Sequence, residues 1–406
     1  AADTYEKVGA NVRFEEKKRK EAARTAMLLF ASMAKRDKAM SNYRTLVSLH
    51  PTADEKANAD YLVADYDHTQ WNPVAPDSGA NREARQAAQS SLEAFYYANR
   101  GNPAASQYAL QASYWVFKMK KTAGDPSYRA AATTAVTAWE SFRAHGTSKD
   151  GKALAVTAPF SDYGAEAQFA LVDDEIHKDY DIETGHHKYA GSVVDIVGVA
   201  GKGGATKDGK FVQDAKQAQK YVDALSEVEK KYPSREWVPA AIARQGTVYD
   251  SLRTGLYNAV PPAVHYFTPQ QDALLKRLEG SGIQKLQDQA DDLRTNVKEN
   301  WRKEKALDLA QMDELMVAHY AAAVALARKY NVRNPLVTKA IERLAYFTDI
   351  IGDDKMREYV VKTKDPTDVS GSSNLTYTDK MYLQARPGLT ATPPAVGEGA
   401  PAPVAP

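Results

Sequence analysis

The residues best suited to chemistry lie between Asp173 and Lys210. The run Gly204-Ala205-Thr206-Lys207-Asp208-Gly209-Lys210 has the glycine and lysine spacing of a phosphate-binding loop. Val193-Val194-Asp195-Ile196-Val197 before it reads as a buried strand, and a helix follows it. Backbone amides of such a loop cradle phosphates. Two features oppose a nucleotide site. Phe211 stands where Ser or Thr would hold magnesium. No strand–helix alternation surrounds the run, so it has no parallel sheet to sit on. It reads instead as a glycine-rich loop at 201–209 between helical hairpins. A nucleotide hydrolase using Gly204 to Lys210 is the competing expectation.

The second cluster is Asp173, Asp174, Glu175, His177, Asp179, Asp181, Glu183, His186 and His187. Carboxylates and imidazoles at this density bind divalent metals. Glu183-Thr184-Gly185-His186 has the Glu-x-x-His spacing of a di-iron bundle, but such a site needs a second copy and two further glutamates. No second copy is present, and Gly185 interrupts the helix that would aim the ligands. The cluster therefore reads as a solvated acidic helix end with surface histidines. His319 is a lone helical histidine and reads as a packed or boundary residue. No Gly-x-Ser-x-Gly elbow and no His-Glu-x-x-His helix occurs. No catalytic residue, metal or cofactor is assigned, and the expectation is that the chain is not an enzyme.

These residues must be carried by helices, because helix formers dominate the chain. One long helix is expected over 5–34, with a charged middle at 15–24 in which Glu15/Arg19 and Glu16/Lys20 sit in the favourable order. Further helices are expected over 36–50, 53–66, 81–98, 103–121, 126–145, 161–180 and 210–231. Residues 189–200 read as helix or strand. The last of those helices is amphipathic, with Val212, Ala215, Ala218, Val222, Leu225 and Val228 on one stripe. Another helix starts near Ser234; from Ser251 to Pro262 the chain departs from the repeat, with Pro261-Pro262 as the stop. Residues 269–305 read as a broken helical pair split at Gly280-Ser281-Gly282, and 306–330 as a separate strong helix. Shorter helices follow at 335–350 and 353–361. Residues 387–406 carry Pro, Ala, Gly and Thr with one charge, Glu398, and read as a disordered or extended tail.

The chain has 406 residues, more than one compact core accommodates. Basic and acidic residues nearly balance, 53 against 52, which disfavours a protein that reads nucleic-acid phosphates through a basic field. No run of ~18 apolar residues exists to span a membrane as a helix. There is no cysteine, which removes disulfides, thiolate zinc sites and cysteine nucleophiles. Absence of cysteine mildly favours an exported, periplasmic protein. The start Ala1-Ala2-Asp3 fits either a mature form after signal removal or a piece of something longer.

Spacing then indicates architecture. Ala39 is followed four residues later by Tyr43, and Pro51 comes eight after that. A small residue lets helices approach, an aromatic fills the groove, and proline stops the helix. Tyr232-Pro233 followed by Gly246 and Tyr249 repeats the theme of a helix break and then a small-x-x-aromatic crossing. These residues resemble tetratricopeptide (TPR) hairpins. The first hairpin departs, with Met27 to Phe30 in place of the usual Gly-x-x-Tyr, and the period is irregular. In style the chain is similar to TPR proteins of bacterial cell envelopes, among them periplasmic components of myxobacterial gliding machinery. The resemblance implies an all-α, right-handed superhelix of antiparallel hairpins. Expected units are 1–145 and 146–264 as hairpins, 265–364 as a C-terminal helical segment, and 365–406 as the tail. It also implies a non-catalytic scaffold whose partners are other proteins of an envelope complex.

The aromatic residues give the partner-facing expectation. There are 23 tyrosines, clustered at Tyr96-Tyr97, Tyr108 and Tyr114. Most would fill grooves between helices, and some would line a concave face. Tyr96, Tyr97 and Tyr108 are the candidate anchors. A cell-wall or carbohydrate-binding module using such rings is a further alternative.

Overall fold

Alanines and glycines at helix crossings, with large rings set against them, decide how this chain packs. A computed structural model describes residues 1–145, 159–181, 187–200 and 206–362. The proline-rich 387–406 segment, the 146–157 loop, Glu183, His186 and 201–205 lie outside them. The described residues are almost wholly helical: the fold is all-α.

The chain divides into two compact units, Ala1–Leu171 with Tyr232–Ser234, and Val172–Lys231 with Arg235 onward. In the first, α1 (Ala2–Ala10), α2 (Glu16–Ser32), α3 (Arg36–Ser48) and α4 (Ala53–Ala64) precede α5 (Gly79–Asn99), α6 (Ser106–Thr122) and α7 (Tyr128–His145). Helix α8 (Phe160–Asp179) supplies its residues up to Leu171 to this unit and the rest to the second.

The single helix expected over 5–34 is two. Asn11 caps the turn, its Oδ1 accepting from the Arg13 amide at 3.0 Å, and α1 folds back on α2. Gly9 makes this contact close: a Cβ there would lie 3.2 Å from the Ala23 Cβ. The charged run at 15–24 therefore starts a helix rather than bridging one, and burying Ala22, Ala23 and Ala26 against neighbours favours the break.

Ala26, Met27, Phe30, Ala39 and Tyr66 form one cluster. Helix α4 starts with a capping box, in which Thr52 and Glu55 exchange backbone-to-side-chain hydrogen bonds of 2.8 and 3.2 Å. Farther along the unit, Gly164 of α8 admits Trp139 and Tyr232, whose ring centroids are 4.4 Å apart. A Cβ at Gly164 would lie 2.5 Å from Trp139 Cγ and 2.7 Å from Tyr232 Cε1.

The second unit contains β1 (Gly191–Ser192), α9 (Val193–Val197), β2 (Gly198–Ala200), β3 (Thr206–Asp208), α10 (Lys210–Lys231) and α11 (Trp237–Tyr257). After these come β4 (Val264–His265), α12 (Pro269–Glu279), α13 (Gln284–Tyr330), α14 (Pro335–Ile351) and α15 (Asp353–Lys362). The ambiguous 189–200 stretch is thus strand, short helix and strand in turn. Strand β1 pairs parallel with β4, Gly191 opposite Val264, and β2 pairs antiparallel with β3, Gly198 opposite Asp208.

Helix α11 continues through Ser251 to Tyr257, ahead of the stop expected at Pro261-Pro262, with Ser251, Leu252 and Leu256 all buried. One expected boundary is absent. Residues 284–330 form one 47-residue helix, not a polar helix followed by an apolar one. No glycine or proline interrupts it; only the environment changes, from a largely solvated N-terminal half to a buried C-terminal half. It ends at Asn331 in a left-handed conformation, φ 53°.

Helices α11, α13 and α14 form the centre of the second unit. Gly246 sits where α11 meets α13, and a Cβ there would lie 2.6 Å from Tyr320 Cδ1. Tyr320 is 1% exposed and has nowhere to retreat. Gly246→Ala should therefore destabilise the protein by ~1–3 kcal/mol, because overpacking outweighs the gain in helix propensity. Urea unfolding checks this, and a variant more stable than the parent would show that the crossing relaxes freely.

Candidate functional site

Lys210, Asp173 and Asp181, drawn from the two catalytic-looking clusters, take structural roles. Within the glycine–lysine run, Thr206–Asp208 form β3, so their backbone is engaged in a hairpin ladder with β2. Lys210 opens α10, and its Nζ lies 2.5 Å from Asp214 Oδ1. Gly209 brings this turn against α9: a Cβ there would lie 2.3 Å from the Ile196 carbonyl oxygen. The glycine is thus explained by backbone approach within the protein.

The acidic cluster is the solvated helix end expected at Glu175, His177 and Asp179, which are exposed, but not at Asp173 and Asp181. Asp173 and Asp181 converge on Arg244 of α11, which is 4% exposed, with N–O distances of 2.6 and 2.8 Å. His177 Nδ1 also contacts Asp181. Among the described residues, no group of three or more His, Cys, Asp or Glu is placed to hold a metal ion. His319 lies beside Tyr249, ring centroids 5.4 Å apart, with Nδ1 2.6 Å from the Leu315 carbonyl. Burial lowers its pKa.

Buried charge is matched elsewhere too. Asp250 is fully buried on α11 and accepts Tyr320 Oη at 3.0 Å and Arg343 Nε and Nη2 at 2.6 and 2.7 Å. Arg253 pairs with Asp313 at 2.8 Å. Burial raises the Asp313 pKa, and Arg253 opposes the rise only in part. In the first unit, Glu166 accepts from Tyr114 Oη at 2.6 Å and from Lys118 at 2.5 Å. None of these pairings had a sequence signal. The partners lie 48 to 93 residues apart for Glu166–Lys118 and Asp250–Arg343.

The repeat-spacing residues occupy packed positions. Ala39 is buried beside Met27 and Phe30. Tyr43 donates to Asp60 Oδ1 at 2.7 Å, and burial with that bond pushes its pKa up to about 12. Pro51 follows the end of α3 and precedes the Thr52 cap. Tyr232 is 1% exposed against Trp139, with Pro233 next to it in the same break. Tyr249 is buried, its Oη 3.3 Å from Gln219 Oε1.

The candidate anchors separate. Tyr96 and Tyr97 are adjacent on α5, ring centroids 5.3 Å apart, but Tyr96 is 7% exposed and Tyr97 59%. Tyr108 on α6 stacks on Tyr61 at 5.5 Å, half-buried. Of the three, Tyr97 is the most exposed, with the Arg100 guanidinium 5.7 Å from its centroid. Between α5, α6 and α7 is a shallow groove of about 90 Å³, with Tyr97, Tyr96, Glu93 and Lys120 on its wall. Lys120 and Glu93 pair at 2.6 Å. No protein-family model, curated protein or solved structure matches the chain. No helix among the described residues is long and apolar enough to cross a membrane.

One carboxyl is poised near neutrality. Glu229 of α10 accepts from Gln245 Nε2 at 2.6 Å. Burial raises its pKa to about 7, against the Gln245 hydrogen bond and the nearby Lys230 charge, which lower it. A raised acid pKa means that the folded state binds the proton more tightly than the unfolded state. Its contribution to stability is complete below about pH 4.5 and is lost as pH rises through about 7. Glu229→Gln removes that loss and should be more stable than the parent at pH 8 by on the order of 1–3 kcal/mol, with the gap closing near pH 4. Denaturant melts at the two pH values test this; an equal gap at both would mean that Glu229 does not titrate there.

Proposed function

We propose that the chain is a non-catalytic helical scaffold that binds protein partners in a multiprotein envelope assembly, its hairpins stacked as a TPR-like right-handed superhelix. The observation that carries this reading is how the buried ionisable groups are used. Asp250, Asp313, Asp181 and Glu166 each meet a cation or hydroxyl on another helix, so the charge serves helix docking. Sequence-adjacent helices joined by short connections pack on one another, α1 on α2, α2 on α3, α5 on α6 and α6 on α7. That is the arrangement from which hairpin arrays are built. The gliding machinery is the assembly that the resemblance suggests.

Partner contact is proposed at the α5–α6–α7 groove. Its volume suits one inserted side chain, and an exposed tyrosine beside an arginine is the composition in which binding energy concentrates. Tyr96 has the opposite role, because its buried ring holds the helices.

Two substitutions separate these roles. Tyr97→Ala should change stability by less than ~0.5 kcal/mol yet abolish partner capture from envelope extract. Tyr96→Ala should cost ~3–5 kcal/mol of stability. Circular dichroism melts and pull-downs read the outcome, and full capture by folded Tyr97→Ala protein removes the groove from the proposal. ATP or GTP hydrolysis by the purified chain, lost in Lys210→Ala, would favour the hydrolase instead.

A further inference from the structure

Among the described residues, the first half of α13 is covered on one side only. Leu275 of α12 and Phe267 pack on its Ala290, and Arg294 pairs with Glu279 at 2.6 Å. Gln287 donates to the Glu279 carbonyl at 2.9 Å. Farther along, Trp301 is buried, and Lys305 Nζ donates to the Tyr257 and Ala259 carbonyls at 3.0 and 2.8 Å, which ties the helix to the end of α11.

The other side carries leucines. Leu286, Leu293 and Leu307 are spaced by multiples of seven, with Asn300 in the remaining place. A seven-residue repeat sets side chains along one line of a helix and marks a seam that pairs with another helix. Leu293 is 49% exposed and Leu307 71%; Asn300 is exposed as well, and Leu286 is half-buried. Ile283 stands exposed just ahead of them. A single exposed leucine needs no explanation, but a line of them at this spacing does.

Charge selects what covers this line. Residues 288–292 hold Asp288, Asp291 and Asp292 and no cation, whereas residues 298–305 hold Lys298, Arg302, Lys303 and Lys305 against Glu299 and Glu304. A like helix laid parallel would set aspartates on aspartates, which costs energy; laid antiparallel, it sets each half on its opposite. The face is thus complementary to itself turned end for end, which is what a two-fold interface requires. We infer that a second copy of this chain covers it, the two α13 helices pairing antiparallel about a two-fold axis between Asn296 and Val297. That register brings Leu286 level with the second copy's Leu307, Lys285 level with its Asp308 and Asp291 level with its Arg302. The seam shares no residue with the Tyr97 groove, so the two readings fail separately.

Analytical ultracentrifugation of the full chain at about 100 μM should give twice the 44.6 kDa chain mass. Leu293→Asp should raise the dimer Kd at least about tenfold, with an unchanged circular dichroism spectrum. The chain has no cysteine, so introduced thiols report alone. Asn296→Cys, beside the axis, should form a disulfide with its own copy. Leu286→Cys should not, since its two copies lie about 31 Å apart along the seam, yet mixed with Leu307→Cys it should cross-link. Should Leu293→Asp not fold, these cysteine pairs decide. A monomer at about 100 μM, the result if a different protein or the chain's own 363–406 segment takes the face, overturns the proposal. So does a dimer that Leu293→Asp leaves intact, or a Leu286→Cys variant that cross-links to itself, which marks a parallel pairing.

Discussion

The second unit depends on one carboxylate. Asp250 lies midway along α11 with no solvent exposure, and takes both guanidinium hydrogen bonds of Arg343 from α14 and the hydroxyl of Tyr320 from α13. A bare buried charge is unaffordable, and removing one partner from such a pair typically costs ~3–5 kcal/mol. The three helices must therefore hold a register that keeps all these contacts. Arg253, three residues along α11, repeats the arrangement with Asp313, its guanidinium 4.9 Å from the Phe347 ring centroid. Gly246, one turn before Asp250, provides the closeness that the register needs, since the Tyr320 ring occupies the space a side chain would take. Charge specifies the register and the glycine sets the distance.

The first unit reaches the same end with less charge. Its helices meet through alanine against ring: Ala39 beside Phe30, and Gly164 beneath Trp139 and Tyr232. The break at Tyr232–Ser234 belongs to this unit, although the helices on either side of it belong to the other. Ser234, in the turn that reads as a helix start, is fully buried and donates to Asp162 at 2.6 Å within this unit. Tyrosine is used mostly as filler here, and Tyr97 stands out because its neighbour Tyr96 takes the buried position on the same helix.

These packing demands also account for the residues that imitate catalytic motifs. Within the run of phosphate-loop spacing, Gly209 lets the β3–α10 connection pass close to α9, and Lys210 pairs with Asp214. Asp173 and Asp181 cluster because Arg244 is buried opposite them.

Helix content, the stop at Asn331, the amphipathic stripe of 210–231 and the small residues at Ala39 and Gly246 were legible in the sequence. Each is a local property: propensity, periodicity, or the absence of a side chain. The break between α1 and α2 was not legible, since a charged run is equally compatible with one helix or two until a partner face is known. The continuity of α13 was misread for the converse reason. Its polarity changes at the middle while its backbone preference does not, and only packing tells burial from helicity. The exposure of Tyr97 against the burial of Tyr96, and the pairings of Asp250, Arg244 and Asp214, were decided by tertiary structure alone. Each depends on which distant helix arrives opposite, and a carboxylate carries no local mark of the cation that will neutralise it.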